Sequence, residues 1–344
     1  MIDIRVGWRY RLGRKLGTGA FGDIFHGLNI QTNEEVAIKL EKLNKKNSQL
    51  QYESKILKSL QGSQGIPHLY WFGTEGSYNS MVIELLGPTL EELYQFTNQK
   101  FSLKTVLMIF DQLLSRIETL HSKNLIHRDI KPENFLIGLG KKSNIIHIID
   151  FGLAKQYRDP KTHKHIPFIE SKSLIGTSRY ASVSNHLGHE LSRRDDLESL
   201  CYLLIYFLNG CLPWQGKSYS NKDEKEKIAK DLKLNLNIHQ ICGDIPSEFS
   251  NLLSYCRTLK YDERPDYPYL KKIFKDLFIR SNFEYDNIYD WMILNYVKPI
   301  NLVNFYRERR SIICVEESKD EISAAETNGK RVSEIKNDKK CSIF

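Results

Sequence analysis

The sequence predicts an α+β fold with two lobes, a small β-rich lobe at the N-terminus and a larger, mainly helical lobe after it. Short β-prone runs at residues 24–25 and 36–38 flank a turn-rich segment at 29–33. From Leu90 onward apolar residues recur every three or four positions, which is the period of an amphipathic helix. A Gly-Pro pair at 87–88 separates the two patterns and predicts a short hinge.

Local periodicity then gives the individual elements. We expect strands within 9–40 and at 81–86 and 145–149, and helices at 49–60, 103–120 and 197–208. One domain is predicted over residues 8–296, with lobes at about 8–86 and 89–296. Residues 297–344 form a separate tail. Because 315–340 has almost no large apolar side chains and many Glu, Lys, Ser and Asn residues, we expect disorder there.

Composition narrows the class of protein without deciding it. The chain of 344 residues is 41% hydrophobic with a net charge of +8, so either a mildly basic enzyme or a binder of nucleic acid, anionic membranes or acidic proteins fits. The cysteines do not occur at CxxC spacing, which argues against a zinc or redox pair. Residues 1–13 lack the apolar core of a signal peptide, and no apolar run approaches the roughly 20 residues that span a bilayer. We therefore expect a cytoplasmic protein, with the nucleus as the alternative.

A glycine-rich segment at residues 16–24 is the first candidate for binding phosphate. It reads LGTGAFGDI and fits the pattern G-x-G-x-x-G-x-V, in which glycines let backbone N–H groups approach phosphate oxygens. Taken alone, it fits an ordinary hairpin equally well. A Rossmann interpretation fails because strands, not a helix, are predicted after it.

Lys39 follows on the next predicted strand, among apolar neighbours. A lysine in that setting needs a partner, and the role that fits is binding the α- and β-phosphates of a nucleotide while paired to a helix carboxylate. Glu53, on the predicted helix 49–60, is the best candidate. The alternative is a Lys39 that reaches solvent beside a solvated Glu53.

The segment 127–134, HRDIKPEN, decides between these alternatives. It matches the kinase motif H-R-D-L-x-x-x-N, which makes Asp129 the expected base for a substrate hydroxyl and Asn134 an expected Mg²⁺ ligand. The later DFG triplet adds Asp150 as the second expected Mg²⁺ ligand. Lys131, with Thr177 placed to bond both Asp129 and Lys131, is the pattern of Ser/Thr rather than Tyr kinases. A pseudokinase acting as a scaffold is the rival interpretation.

Longer stretches of the chain, from about residue 8 to 296, resemble the casein kinase 1 family. The most specific are 51–56 (QYESKI), 84–91 (ELLGPTLE), 121–124 (HSKN), 150–159 (DFGLAKQYRD), 162–167, 194–200 (RDDLESL) and 212–216 (LPWQG). The resemblance implies a monomeric Ser/Thr kinase that uses ATP and Mg²⁺ and phosphorylates acidic or already phosphorylated proteins. It gives no reason to expect a nucleic-acid partner.

The resemblance also implies roles for individual residues. Glu84 and Leu86 would offer backbone groups to adenine, Ile83 would be the gatekeeper, and Asp196 would brace the catalytic loop. The full set of expected ATP-binding residues is Leu16, Gly17, Thr18, Gly19, Ala20, Phe21, Gly22, Asp23, Ile24, Ala37, Lys39, Ile83, Glu84, Leu86, Leu136 and Ile149. The expected catalytic residues are Lys39, Glu53, Asp129, Lys131, Asn134 and Asp150.

Basic residues concentrate between positions 153 and 180, where they form either a solvated loop or a site for acidic substrates. In the resembling family an anion site would correspond to Arg179 and Gly216, with Lys222 or Lys225 completing it. A second cluster would correspond to Arg128, Lys155 and Lys172. Residues 182–185 replace the Ala-Pro-Glu triplet of most kinases, which leaves Arg264 without the usual glutamate partner.

The last four residues of the sequence, CSIF, fit the prenylation pattern C-a-a-X loosely because Ser342 is a poor first aliphatic position. Nearby basic residues favour a lipid group on Cys341 and an anionic membrane surface as a partner. An unmodified cysteine is the alternative.

Overall fold

The structure is a computed structural model that describes residues 4–19, 22–43 and 48–297. The strands are β1 Arg5–Val6, β2 Tyr10–Gly19, β3 Gly22–Asn29, β4 Glu35–Lys42, β5 Leu69–Glu75, β6 Tyr78–Glu84, β7 Leu125–Ile126, β8 Phe135–Ile137, β9 Ile146–Ile148 and β10 Lys155–Gln156. The helices are α1 Gln49–Leu60, α2 Leu90–Phe96, α3 Leu103–Ser122, α4 Val183–His186, α5 Arg193–Asn209, α6 Lys222–Asn235, α7 Ile238–Cys242, α8 Ser247–Thr258, α9 Tyr267–Arg280 and α10 Asp290–Val297.

A six-stranded antiparallel sheet forms the N-terminal lobe, with the strand order β1-β2-β3-β4-β6-β5. One small cluster of buried side chains on this sheet consists of Val6, Tyr10, Val36, Ile38 and Val82. The two β-prone runs identified in the sequence lie on the adjacent strands β3 and β4. Periodicity alone misses β5, because its residues are almost all half-buried and do not alternate between buried and exposed.

Helix α1 covers the sheet and begins with a capped first turn. The Ser48 hydroxyl accepts a hydrogen bond from Gln51 N at 3.0 Å, which satisfies one of the open backbone donors at the helix start. Leu50, Leu57 and Leu60 are buried, in agreement with the predicted apolar face. Glu53 lies on the same buried face, so the helix carries its carboxylate toward the sheet.

Helices build the C-terminal lobe around α5, whose residues are buried along nearly its whole length. Its start is fixed by a hydrogen bond of 2.7 Å from Ser192 N to the Asp195 carboxylate, and its end by Gly210 in the left-handed region at φ 84°. Helices α3 and α8 pack against it. A helix that is buried on all sides at the centre of a lobe explains why most residues of the segment 197–208 are apolar.

The hinge between the lobes consists of residues 85–89. Strand β6 ends at Glu84, two residues earlier than the apolar run predicts, because Gly87 N donates to Ile137 O at 2.8 Å and ties the chain to β8 instead of to β4. Ile137 N in turn donates to Pro88 O at 3.1 Å. A strand-rich N-terminal lobe followed by a helical lobe confirms the predicted two-lobed fold class.

Candidate active site

Lys39 projects from β4 into the cleft between the lobes and meets two carboxylates. Its Nζ lies 2.7 Å from Glu53 Oε2 and 3.4 Å from Asp150 Oδ1. Burial alone would lower the pKa of the ammonium, but the two carboxylates outweigh burial and raise that pKa. Burial likewise opposes ionisation of Asp150, and the nearby Lys39 still holds the pKa of its carboxyl below the ordinary value. A positive charge is therefore fixed beside an ionised Asp150.

The glycine-rich segment forms the β2–β3 hairpin, with Gly17 opposite Ile24 and Gly19 opposite Gly22. A side-chain carbon added at Gly17 would meet no atom within 4 Å, so this backbone borders open space. One added at Gly22 would lie 2.1 Å from Leu40 O, so only glycine fits against β4. Thr18 donates to Asp23 at 3.2 Å across the hairpin. Ala20 and Phe21, also expected at this site, lie outside the described residues.

Apolar side chains from both lobes occupy the positions expected to enclose a base. Leu16, Ala37 and Leu86 are buried. Ile24, Ile83, Leu136 and Ile149 are half-buried. Glu84 turns its carboxylate to Lys142 at 2.6 Å. Its backbone N–H donates to His68 O at 2.8 Å, so its carbonyl, and not its N–H, is the group it could offer to a ligand.

Asp129 lies at the centre of a hydrogen-bond network in the catalytic loop, residues 127–134. Its Oδ1 accepts from Thr177 N at 2.9 Å and from the Thr177 hydroxyl at 2.8 Å. Lys131 Nζ lies 2.8 Å from Asp129 Oδ2 and donates to the Thr177 hydroxyl at 3.3 Å. Both contacts that the sequence predicts for Thr177 are therefore present, and the carboxylate is held in one orientation.

Asn134 is tied to the same residue. Its Nδ2 donates to Asp129 O at 2.8 Å and approaches Asp129 Oδ2 at 3.3 Å. With the nitrogen engaged, the amide oxygen is the atom that could bind a cation. Asp150 has backbone angles of φ 62° and ψ 68°, in the left-handed region that non-glycine residues rarely adopt. Phe151, which follows it, is buried edge-on against His127 with ring centroids 5.7 Å apart.

The catalytic loop is supported from below by Asp196 at the start of α5. Its carboxylate accepts from His127 N at 2.8 Å and from Arg128 N at 2.9 Å. His121 Nε2 lies 2.9 Å from the same carboxylate, and its Nδ1 lies 2.6 Å from the Tyr267 hydroxyl. This is the bracing position expected for Asp196. The sequence analysis gave no role to His121 or Tyr267, because the partners of His121 lie 75 and 146 residues away along the chain.

Gly176 belongs to the activation segment, residues 150–185, and its backbone lies directly against the catalytic loop. Its φ is 77°, and a side-chain carbon there would lie 2.5 Å from Arg128 O and 2.9 Å from Asp129 Oδ1. Thr177 can reach Asp129 because this close approach is possible only for glycine.

The cluster of Arg128, Lys155 and Lys172 surrounds a carboxylate that the sequence analysis did not single out. Glu190 is buried. Its Oε1 lies 2.9 Å from Lys155 Nζ, and its Oε2 lies 3.5 Å from Lys172 Nζ. Burial alone would raise the pKa of Glu190, but Lys155, Lys172 and Arg128 together hold that pKa below its ordinary value. The basic cluster thus contains an ionised internal partner.

Arg179 lies on the segment that follows Thr177, and its carbonyl accepts from Trp214 Nε1 at 2.8 Å. Its guanidinium lies over the rings of Tyr180 and Tyr206, at 5.8 and 5.9 Å from their centroids. Gly216 follows shortly after Trp214 and faces open space. Of the two lysines left open above, Lys222 is paired with Glu226 at 3.7 Å and Lys225 lies 5.2 Å from the Tyr219 ring centroid. Neither contact decides between them.

Lys233 is a further residue that the sequence analysis missed. It is fully buried on α6, and its Nζ donates to Ser178 O at 2.8 Å and to Ala181 O at 2.7 Å. The Nζ atom lies 4.7 Å from the Trp214 ring centroid and 5.0 Å from that of Tyr202. Together with Trp214, which donates to Arg179 O, Lys233 holds three backbone carbonyls of the segment around Arg179.

The end of the activation segment is anchored without an Ala-Pro-Glu glutamate. Ser182 donates to Asp195 at 2.7 Å, and Val183 N donates to Glu198 at 3.1 Å. Glu198 is 3.6 Å from Arg257 Nε. Within the described part of the chain no hydrogen bond or ion pair of the Arg264 side chain is found.

Within the three described ranges, no helix is long and apolar enough to cross a membrane. The same residues contain no group of three His, Cys, Asp or Glu side chains arranged to hold a metal ion. An Asp and an Asn that share Mg²⁺ with nucleotide phosphates fit the donor preference of that ion, which commonly takes few protein ligands. Cys341 and the tail lie outside the described residues.

Comparison with protein families agrees with this geometry. The family model described as protein kinase domain matches residues 10–279, which is most of the chain. Proteins of this family use ATP and Mg²⁺. The open space at Gly17, the fixed Lys39 ammonium and the Asp150 carboxylate fit a magnesium nucleotide. The match and the two-lobed fold together show that the chain belongs to the protein kinase family.

Proposed function

We propose that this protein is a Ser/Thr kinase of the casein kinase 1 type that phosphorylates acidic or phosphate-primed proteins. The observation that carries the proposal is the contact of Lys131 with both Asp129, at 2.8 Å, and Thr177, at 3.3 Å. It places an ammonium beside the expected base, in the arrangement typical of Ser/Thr kinases. The resemblance of the sequence supports the casein kinase 1 type.

In this proposal Asp129 Oδ2 accepts the proton of the substrate hydroxyl. The hydroxyl oxygen forms a bond to the γ-phosphorus while the bond from that phosphorus to the β–γ bridging oxygen breaks. Asp129 Oδ1 is engaged by Thr177, and the substrate hydroxyl would share Oδ2 with Lys131 and Asn134. Lys131 stabilises negative charge on the transferring group, the type of fixed electrostatic contribution that usually dominates such reactions.

The residues that would hold the nucleotide include Lys39 and Asp150, which already form an ion pair with each other. Lys39, oriented by Glu53, would bind the α- and β-phosphates. Asp150 and the Asn134 amide oxygen would hold Mg²⁺, which when bound neutralises phosphate charge. The backbone of the β2–β3 hairpin would cover the phosphates, and the Glu84 carbonyl and Leu86 would contact adenine. The apolar residues of both lobes would exclude water from the base.

Two basic regions support the preference for acidic substrates, and they differ in how available they are. Lys155 and Lys172 already contact Glu190, so a substrate phosphate would have to compete with a buried carboxylate. No carboxylate lies within ion-pair distance of Arg179 in the described part of the chain, and aromatic rings orient its guanidinium. We therefore assign recognition of the priming phosphate chiefly to Arg179.

The test compares one peptide with and without a phosphoserine a few residues before the acceptor. We expect the wild-type protein to favour the primed peptide about tenfold or more in kcat/KM, since each charge-assisted hydrogen bond contributes roughly 1.5–3 kcal/mol. Arg179→Ala should remove this preference and spare the unprimed peptide. Arg280→Ala, a surface arginine on α9 paired with Glu248, is the matched control.

Each alternative gives a different result. Equal losses on both peptides would make Arg179 structural. Phosphorylation of Tyr in preference to Ser or Thr would overturn the Ser/Thr assignment. If purified protein with Mg-ATP transfers no phosphate to casein or to either peptide, the scaffold interpretation replaces the enzyme.

A further inference from the structure

A cavity of about 190 Å³ lies behind the catalytic loop, on the side away from the nucleotide cleft. The end of α3, the stretch at Tyr157 and Arg158, and the starts of α5 and α9 enclose it. None of the residues proposed above for ATP, Mg²⁺ or substrate phosphate lines it. The cavity is therefore separate from the proposed active site.

Three arginines line this cavity: Arg158, Arg193 and Arg264. In the described part of the chain, none of them has a carboxylate oxygen within 4.0 Å. Glu118 is the carboxylate on the wall, and it is already paired with Lys271 at 2.7 Å. The cavity therefore carries a local excess of positive charge next to a low-dielectric interior, where an anion would be attracted strongly.

The donors of these arginines are only partly used. Arg193, which is 6% exposed, donates to Tyr157 OH at 3.3 Å and to Asp262 O at 2.6 Å, while its buried Nε has no partner in the described structure. Arg158 uses its Nε to bond Asn124 Oδ1 at 2.5 Å. A guanidinium has five donor hydrogens, so several remain at each arginine.

The Tyr157 ring holds two of the guanidinium groups in place. Arg193 Cζ lies 4.6 Å from its centroid and Arg158 Cζ lies 5.4 Å from it. Arginine stacked on an aromatic ring loses less conformational freedom when it binds a ligand, because its planar fork is already oriented. Arg264 is exposed, has no ion-pair partner among the described residues, and lines the same cavity as a third arginine.

We propose that this cavity binds one oxyanion of the phosphate class through Arg158, Arg193 and Arg264. Arginine forks match the oxygens of phosphate in pairs, and a small cavity with excess positive charge favours a compact anion over a neutral metabolite. The source is either free phosphate or a phosphorylated side chain. Because the opposite wall contains His121 and Tyr267, whose contacts lead to Asp196, an occupant would reinforce the support of the catalytic loop.

Hydrogen–deuterium exchange with the full-length protein tests this binding locally. Inorganic phosphate at constant ionic strength, with chloride as the blank, should slow exchange in segments 118–124 and 262–267. Arg264→Met should weaken the apparent phosphate affinity measured there about tenfold, from the loss of one or two charge-assisted hydrogen bonds. Lys272→Met removes one exposed charge from α9, the helix that follows Arg264, and should leave the affinity unchanged.

Two further arms identify the source and exclude the other basic regions. A short phosphoserine peptide that protects these segments where phosphate does not would assign the cavity to a phosphorylated segment, and the converse would assign it to the free anion. Arg179→Ala should retain the protection. Absence of protection by both probes, or equal protection in the wild type and Arg264→Met, would overturn the proposal. No outcome depends on kinase activity, so a failure here is distinct from a failure of the proposed function.

Discussion

Lys39 and Lys233 are both buried lysines, but they have partners of different kinds. In the cleft, Lys39 contacts two carboxylates, Glu53 at 2.7 Å and Asp150 at 3.4 Å. In the helical lobe, Lys233 contacts two carbonyl oxygens, the His186 Nε2 atom at 3.1 Å and two aromatic rings, and no carboxylate lies within 4.0 Å of it in the described residues. The pKa of Lys39 is raised, whereas burial lowers the pKa of Lys233 well below its ordinary value.

The difference shows that the partners of a buried lysine decide whether its amino group stays charged and what it can bind. Carboxylates keep Lys39 charged, as a residue that binds phosphate must be, and they share it with the site of Mg²⁺. Carbonyl groups use Lys233 as a donor whether or not it is charged, since a neutral amine also donates. One lysine is therefore suited to an ionic ligand, and the other to holding a backbone.

Removing the charge of Lys39 in the cleft should have the largest effect of the proposed substitutions, and the effect should be on kcat. Lys39→Met is expected to lower kcat by about 10²–10³-fold or more, because a fixed charge beside the transferring phosphate is lost. Circular dichroism should show a retained fold, and single-turnover transfer is the measurement. Lys42→Met, an exposed lysine on the same strand, is the control. Transfer near the wild-type rate by Lys39→Met would remove Lys39 from the mechanism.

Removing the lysine in the helical lobe should act on the substrate and not on the nucleotide. Lys233→Met leaves the carbonyls of Ser178 and Ala181 without their donor, at about 1–3 kcal/mol for each unsatisfied group, and the loop around Arg179 loosens. We expect KM for the peptide to rise by about tenfold while KM for ATP stays unchanged. Equal changes in both constants would indicate general destabilisation.

The pH dependence of stability should separate the two lysines. Between the lowered pKa of folded Lys233 and the ordinary value of 10.5, the unfolded state binds more protons, so the contribution of Lys233 to stability improves as pH rises. For Lys39 the folded pKa is raised, so its contribution is complete below 10.5 and is lost only above it.

Urea unfolding at about pH 7 and about pH 9.5 measures this contrast. The difference in unfolding free energy between wild type and Lys233→Met should grow with pH, by at most about 1.4 kcal/mol per unit. The corresponding difference for Lys39→Met should stay constant. A Lys233 difference that shrinks with pH would contradict the assigned direction.

Replacing an exposed lysine on the same helix as Lys233 should have the smallest effect on stability. Lys222 has a side chain that is 86% exposed and lies 3.7 Å from Glu226, one turn along α6. Such pairs contribute at most about 0.5 kcal/mol, so Lys222→Met should leave the midpoint of urea unfolding nearly unchanged. If Lys222→Met instead lowered the unfolding free energy by more than about 1 kcal/mol, the stabilising effect of Lys233 would have to come from its place on α6 and not from its burial.

Contacts within sequence motifs could be predicted, and contacts between distant helices could not. Thr177 and Asp129 belong to segments whose spacing is typical of kinases, and their contact is present as expected. Glu190 could not be anticipated, because nothing in the local sequence shows that a carboxylate will be buried among Arg128, Lys155 and Lys172. The resemblance to a family identified the basic residues of this cluster, but it did not identify the acidic residue that they surround.

The sequence did contain a signal for Lys233 that a period-based interpretation can detect. Lys233 follows Ala229 by four residues and precedes Leu236 by three, so it lies on the apolar stripe of α6. The helix as a whole is strongly polar, which suggests a solvated segment and hides that position. A lysine in register with buried residues therefore merits a search for distant carbonyl partners.

Gly176 has a practical consequence for anyone who needs an inactive form of this protein. The usual choices replace a charged residue and thereby disturb the field of the nucleotide cleft. A single methyl group at position 176 would instead press on Asp129 Oδ1 and Arg128 O, while every ionisable group stays in the chain. Gly176→Ala would thus supply a charge-neutral inactive reagent, suited to capturing partners that recognise the nucleotide-bound protein.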